Sequence, residues 1–181
     1  MKDIVAKELM IPIANYVSVK KEDRLVDVLA AIEKKRHAEQ GHAHRDAIVI
    51  DENGIFIGKV TMIDIFRALE PNFRKVQKAQ QEQTLTDAFV RKAVQELNLW
   101  LEPVEDVCAR GGNVTVADAM HVPEKSEYIQ ETDTLEKALS LYVMGVHQPL
   151  IVKNGDTVTG VVRFGDIFEV VRERLLKCDL S

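Results

Sequence analysis

The nine residues GKVTMIDIF, Gly58 to Phe66, return as GVVRFGDIF, Gly160 to Phe168. Each run sets an aspartate six positions after a glycine, at the foot of a helical pattern. A carboxylate at a helix start that faces a cleft accepts both hydroxyls of a ribose. A hydroxyl three residues earlier, with the helix N-terminal amides, suits a phosphate. Thr61 and Asp64 fit that chemistry. The same Thr-x-x-Asp spacing is also a helix N-cap with an acid at its third position, where the helix dipole favours it. In the second run Arg163 stands where the first has Thr61, so capping explains Asp166 less well than Asp64. Arg163 supplies a positive charge for a phosphate, or pairs with a carboxylate and fills its own cleft, or is a solvated surface arginine.

The flanks make the match a duplication. Gly58 and Gly160, Asp64 and Asp166, and Phe66 and Phe168 stand 102 positions apart. Met10 and Met120, Asp23 and Asp133, Leu25 and Leu135, and Leu29 and Leu139 stand 110 apart. The first copy therefore carries an eight-residue insertion between Leu29 and Gly58, and the polar run RHAEQGHAHR is its expected place. Similarity of this kind means one supersecondary unit used twice.

Periodicity assigns the elements of each copy. Val17-Ser18-Val19 and Tyr128-Ile129-Gln130 read as short strands, followed by helices with apolar residues at 25, 28, 29, 32 and at 135, 138, 139, 142. Asp133 and Glu136 form a capping-box-like pair at the start of the second of these helices. Two β-rich runs follow in each copy, AIVI and IFIGKV, then PLIV and TVTGVV, joined through Asn53-Gly54 and Asn154-Gly155 as tight hairpins. A last helix begins near Asp64 or Asp166. The fold class is α/β (α+β), two β-α-β-β-α repeats. The division is 1–69 for the first repeat, 70–113 for a helical insert and 114–181 for the second repeat. Three strands are marginal alone, so the copies are expected to share a core.

In the insert, Leu85, Phe89, Ala93, Leu97 and Leu101 form one helical stripe with Trp100 beside it. A further short helix starts after Pro103 and ends at Gly111-Gly112. The stripe must be covered, by the repeats or by a second subunit.

With these residues in view, the chain resembles a tandem pair of CBS domains, the small regulatory domain named after cystathionine beta-synthase. A hairpin followed by Gly-x-x-Thr-x-x-Asp is that family's signature. GKVTMID fits it fully, and GVVRFGD departs from it at Arg163. The resemblance covers the chain outside the insert. It implies a compact pseudo-twofold module whose cleft between the repeats holds an adenine nucleotide (AMP, ADP or ATP) or S-adenosylmethionine as a regulatory ligand. It also implies a homodimer and no catalytic cofactor. By the same resemblance Asp64 and Asp166 take ribose, with Gly58 and Gly160 in the motif. Val17, Ala47, Ile48, Ile129, Pro149 and Leu150 pack on adenine, although taken singly these six read as core residues. Basic residues before the hairpin contact phosphate in nucleotide-binding members of the family. Here those places hold Arg45-Asp46 and His147-Gln148, which favours a ligand of lower charge such as AMP or an adenosyl thioether. Lys59 and Arg67 compensate only if they leave the solvated face expected of them.

Composition narrows the function classes. The chain has 181 residues, 46% of them hydrophobic, enough for a core without staples. Its two cysteines, Cys108 and Cys178, suggest neither disulfides nor a zinc site, and the expected location is the cytoplasm. A net charge of −5 argues against a nucleic-acid surface, and no run of apolar residues reaches membrane-span length. His37, His42 and His44 fall within eight residues, a weak metal pattern in what reads as a polar loop. There is no nucleophile elbow, P-loop, dinucleotide fingerprint or paired metal motif, so an enzyme is not expected. The leading expectation is a ligand-sensing regulatory module acting on a separate effector protein. The alternative is a dimerisation or protein-interaction module with degenerate, empty clefts.

Overall fold

The computed structural model describes residues 3–38, 45–70, 72–73, 75–76, 86–97, 99 and 104–177. The chain divides into two compact units, one of Val17–His121 and one of Met1–Tyr16 with Val122–Ser181. Each unit is built around one copy of the repeat, and each also contains the segment that leads into the other copy.

In the first-copy unit, strands β2 (Ser18–Val19), β3 (Ala47–Ile50) and β4 (Phe56–Val60) form a sheet in the order β2-β3-β4. β2 and β3 run parallel, as a helical crossover demands, and β3 and β4 pair antiparallel through a hairpin. The crossover is α2 (Leu25–Ala38), which buries Leu25, Val28 and Ile32 on one face and gathers Lys35, Arg36 and His37 in its last turn, where the dipole favours them. Each buried side chain of this size contributes about 1.5–3 kcal/mol. Leu29, expected on the same stripe, is exposed, because only the 25-28-32 edge meets the sheet. The core holds Val17, Val19, Ala47, Val49, Val60 and Ile65, and it is completed by Val116 and Ala119 of the lead-in to the second copy.

The second-copy unit repeats this plan. β1 (Ile11–Pro12), β5 (Tyr128–Gln130), β6 (Leu150–Asn154) and β7 (Thr157–Val162) take the order β1-β7-β6-β5. Its core holds Ile129, Leu135, Leu150, Val152, Val162 and Ile167 with Ala6 from the lead-in to the first copy. The edge strand β1 pairs with β7 as Ile11↔Val161, and its counterpart is an isolated bridge, Lys59↔His121. Main-chain bonds of 3.0 and 2.8 Å between Lys59 and His121 close that bridge in both directions.

These added segments explain the glycines of the repeated motif. A Cβ on Gly58 would lie 2.6 Å from Met120 Cε and 3.0 Å from the His121 carbonyl oxygen. On Gly160 it would lie 2.7 Å from the Ile11 carbonyl oxygen and 2.8 Å from Met10 Sδ. Both glycines thus face the lead-in that crosses their strand.

The register also refines the alignment. Val49 pairs with Gly58 and Val152 with Gly160, so β3 and β6 are offset by 103 positions where β4 and β7 are offset by 102. Seven of the eight extra residues therefore precede β3, and the eighth lies in the hairpin. Ala47 matches Leu150, and Ile48 matches Ile151, one place on from the pairing of Ala47-Ile48 with Pro149-Leu150. The second hairpin turns on Gly155-Asp156, because Asn154 still pairs with Thr157. Gly54 and Gly155 take positive φ, 78° and 60°, which glycine allows at little cost.

The insert lies in the first-copy unit as α4 (Asp87–Leu97) and α5 (Val104–Gly111). Phe89, Ala93 and Leu97 of the expected stripe are half-buried and line a groove with Val76. Leu85, Trp100 and Leu101 lie outside the described residues, as do His42 and His44. His37 pairs with Glu33, Nε2 to Oε1 at 2.8 Å. No helix among the described residues is long and apolar enough to cross a membrane.

Candidate functional site

Thr61 ends β4 and caps α3 (Met62–Leu69). Its main-chain N–H and its hydroxyl both donate to Asp64 Oδ2, at 3.0 and 2.6 Å, and the Asp64 N–H donates back to Thr61 Oγ1 at 3.4 Å. This is a complete capping box, and it holds Asp64 at 4% exposure in the first turn. Asp64 Oδ1 lies 3.6 Å from Arg67 Nη1, close enough for attraction and too long for a good hydrogen bond.

Asp64, Arg67 and Ala68 form one face of α3, and that face borders a cleft of ≈ 400 Å³. The opposite wall comes from the lead-in to the second copy, including α6 (Val116–Ala119), and contributes Asp118, Met120 and His121. Glu70 and Phe73 close one end. The acids of the cleft have partners nearby. Asp118 Oδ2 accepts from the Thr115 N–H and hydroxyl, and Glu70 Oε1 accepts from the Asn72 N–H. Arg67 sits with its guanidinium 5.4 Å from the Phe73 ring centroid. Its Nε is buried and has no hydrogen-bond partner among the described residues. An unmet buried donor costs about 1–3 kcal/mol, more when charged.

The matching place in the second copy is built differently. Arg163 precedes α8 (Phe164–Leu176, after α7, Leu135–Val143) and makes no side-chain cap. Its guanidinium grips Asp166 instead, Nε to Oδ2 at 2.9 Å and Nη2 to Oδ1 at 2.7 Å, with both side chains about 15% exposed. Of the readings open for Arg163, the pairing with a carboxylate is the one observed. Arg67 has Glu169 as its counterpart, engaged with Arg172 at 2.8 Å, and His121 has Ile11.

The apolar candidates all lie inside. Val17 and Ala47 belong to the first core, and Ile129 and Leu150 to the second. Ile48 and Pro149 are also buried. Lys59 overturns an expectation: it is fully buried, because it shares a sheet face with its partner Ile48 while Gly58 and Val60 point the other way. The cap of α7 is Thr134, whose Oγ1 accepts from the Lys137 N–H, one residue beyond the Asp133 expected. Asp133 accepts from the Gln130 N–H and from Lys137 Nζ. Sequence reasoning did not find Asp118, Met120 and His121. Their only signal was the Met10/Met120 match, which marks the lead-in as part of the repeat without showing where it packs.

The fold is that of a CBS-domain pair. Residues 5–71 match the family model of the CBS domain. A CBS domain-containing protein of unknown function from Bacillus anthracis superposes with a TM-score of 0.61 at 17% identity, over 95% of each chain. The CBS-pair protein CBSX2 from Arabidopsis thaliana gives 0.61 at 16%, over 97% of this chain and 99% of that one. A structure of CBSX2 in complex with AMP gives 0.58 at 18%, over 95% and 98%. The CBS domain of a bacterial CNNM/CorC family Mg2+ transporter, in complex with ATP, gives 0.55 at 18%, over 94% and 89%. No curated protein matches the sequence.

Proposed function

We propose that this chain is a regulatory, non-catalytic module that senses an adenosine-containing ligand, with the cleft beside Asp64 as its working site. The observation that carries this reading is Arg67, a cation in a cleft with one buried donor left unmet next to the motif carboxylate. Asp64 would take ribose hydroxyls through its carboxylate, and Arg67 would take the anionic group. Solved structures of the same fold hold AMP or ATP, which supports the ligand class. Among the described residues the lining carries one arginine against Asp64, Glu70 and Asp118, so AMP fits better than a polyphosphate. S-adenosylmethionine, with little net negative charge, is the second candidate. The module would pass its state to a separate effector protein.

Titration calorimetry on protein freed of bound nucleotide tests this. AMP should bind more tightly than ADP or ATP, and Arg67→Gln should weaken it by about tenfold, the loss of one charge-assisted hydrogen bond. No heat with any adenosyl ligand would remove the sensor reading.

A second reading, association into a homodimer, rests on a separate observation. The first turns of α3 and α8 expose Met62, Ile63 and Phe66, and Phe164 and Phe168, at matching positions of the two copies. Sedimentation of Phe66→Glu and Phe168→Glu variants, and of a chain lacking residues 72 to 112, separates an interface on these helices from one on the insert.

A further inference from the structure

The second-copy unit carries a basic, aromatic surface that the first copy lacks. On it a broad, open depression of ≈ 480 Å³ is lined by Lys125, Tyr128, Lys137 and Lys153, with Gln130 and Asp133 between them. Lys153 Nζ lies 5.1 Å from the centroid of the Tyr128 ring, a cation–π contact that presents the ammonium beside an aromatic face. Burial, with the nearby Glu127 carboxylate adding to it, holds the Tyr128 phenol above its ordinary pKa, so its hydroxyl stays a neutral donor. Lys137 is paired with Asp133 at 2.7 Å. Lys125 and Lys153 have no carboxylate partner among the described residues, so the depression is net positive on a chain whose net charge is −5.

The duplication supplies an internal control. What the fold requires recurs in both copies, as the motif glycines, the parallel crossover and the β-bulges before both hairpins do. The surface does not recur. Strand pairing matches Tyr128 with Ser18 and Lys153 with Ile50, and the helix starts match Lys137 with Asp27. The first-copy depression sets Glu22, Asp51 and Glu52 against Lys20 and Lys21. The first copy folds with a serine, an isoleucine and an aspartate at those three positions, so folding does not explain the lysines and the tyrosine.

The donor set indicates what such a surface takes. A phosphate site is usually made of main-chain N–H groups at a helix start or an arginine fork. Here the Gln130 N–H is used by Asp133, the Lys137 N–H by Thr134, and no arginine among the described residues lines the depression. What remains are separate lysine ammoniums on flexible stems around an aromatic ring, in a depression too open to enclose a small molecule. Spaced carboxylates along an extended chain match that pattern. We propose that this face of the second-copy unit is a docking surface for an acidic segment of a partner protein. The inference does not depend on which ligand occupies the Asp64 cleft.

The test uses fluorescence anisotropy of the full chain with a labelled peptide of alternating glutamate and glycine, against its glutamine analogue. The acidic peptide should bind and the analogue should not, and binding should weaken as salt rises. A Lys125→Gln/Lys153→Gln double variant, with unchanged circular dichroism and melting, should lose about tenfold in affinity, the scale of two exposed ion pairs. Lys20→Gln/Lys21→Gln should change nothing. Equal binding of the two peptides, equal losses in the two double variants, or displacement of the peptide by millimolar inorganic phosphate with the same Lys125 and Lys153 dependence would overturn the proposal. The last outcome would assign the surface to a phosphate group instead.

Discussion

Asp64 and Asp166 occupy the same turn of twin helices and are held by opposite means. Asp64 closes a box with the Thr61 hydroxyl, a neutral donor, and keeps Arg67 at 3.6 Å one turn along the same helix face, beside an open cleft. Asp166 is clamped through both oxygens by Arg163, a charged donor three residues earlier. In the first copy the cation therefore stands on the helix face that borders the cleft. In the second copy the cation is spent on the carboxylate itself. One backbone plan thus carries a hydroxyl-capped carboxylate beside a cleft in one copy and an ion pair in the other, and the copies differ at Thr61/Arg163, Arg67/Glu169 and His121/Ile11.

The strongest way to press this comparison is at the motif glycines, which look equivalent in sequence. Gly160→Ala would set a Cβ against the Ile11 backbone, which cannot swing away, and should lower stability by about 3 kcal/mol. Gly58→Ala first meets the end of the flexible Met120 side chain and should cost about 1 kcal/mol. Urea unfolding of both variants checks the order, and equal losses would show that the two lead-ins are held alike. Next is Tyr142, whose buried hydroxyl donates to the Val162 carbonyl and accepts from the Leu150 N–H at 2.8 Å. The first copy has Ile32 at that position, so Tyr142→Phe should cost about 2 kcal/mol, by leaving main-chain groups unmet in one copy only. Thr61→Ala should then cost about 1 kcal/mol through the lost cap, read by the same unfolding curves.

The smallest effect concerns the lead-in held by Glu131. Its carboxylate accepts from Lys7 at 3.0 Å, and that bond, with the Thr159 hydroxyl after it, holds the group below its ordinary value of 4.5. A carboxylate with a depressed folded pKa stabilises the fold above its unfolded pKa and loses that contribution as pH falls through the folded one. The urea midpoint of the wild type should therefore drop more steeply below pH 4.5 than that of Lys7→Ala, which lacks the partner. Parallel curves would mean that the pair contributes nothing.

Much of this was legible from the residues. The runs AIVI, TVTGVV and YIQ are strands to the residue, because alternation and β-branched side chains report a pleated surface directly. The insertion was visible as a change of offset, although only strand pairing divided it between the loop and the hairpin. What stayed hidden is what periodicity does not encode. Leu29 has the spacing of a buried residue and faces solvent, and Lys59 has the type of a surface residue and is enclosed. His121 and Asp118 reach the cleft because a lead-in packs on the other copy's sheet, a matter of topology and not of local pattern. Thr61 and Asp64 were found together, yet their spacing alone does not separate a cap from a ligand contact. The structure shows the cap in place and the cleft beside it.

The most direct measurement is a thermal melt of nucleotide-free protein with and without AMP, on the wild type, Asp64→Ala and Asp166→Ala. AMP at 100 times its dissociation constant should stabilise the wild type and Asp166→Ala by about 2.7 kcal/mol and leave Asp64→Ala unmoved. If Asp64→Ala keeps the shift while Asp166→Ala loses it, the two halves have been assigned the wrong way round.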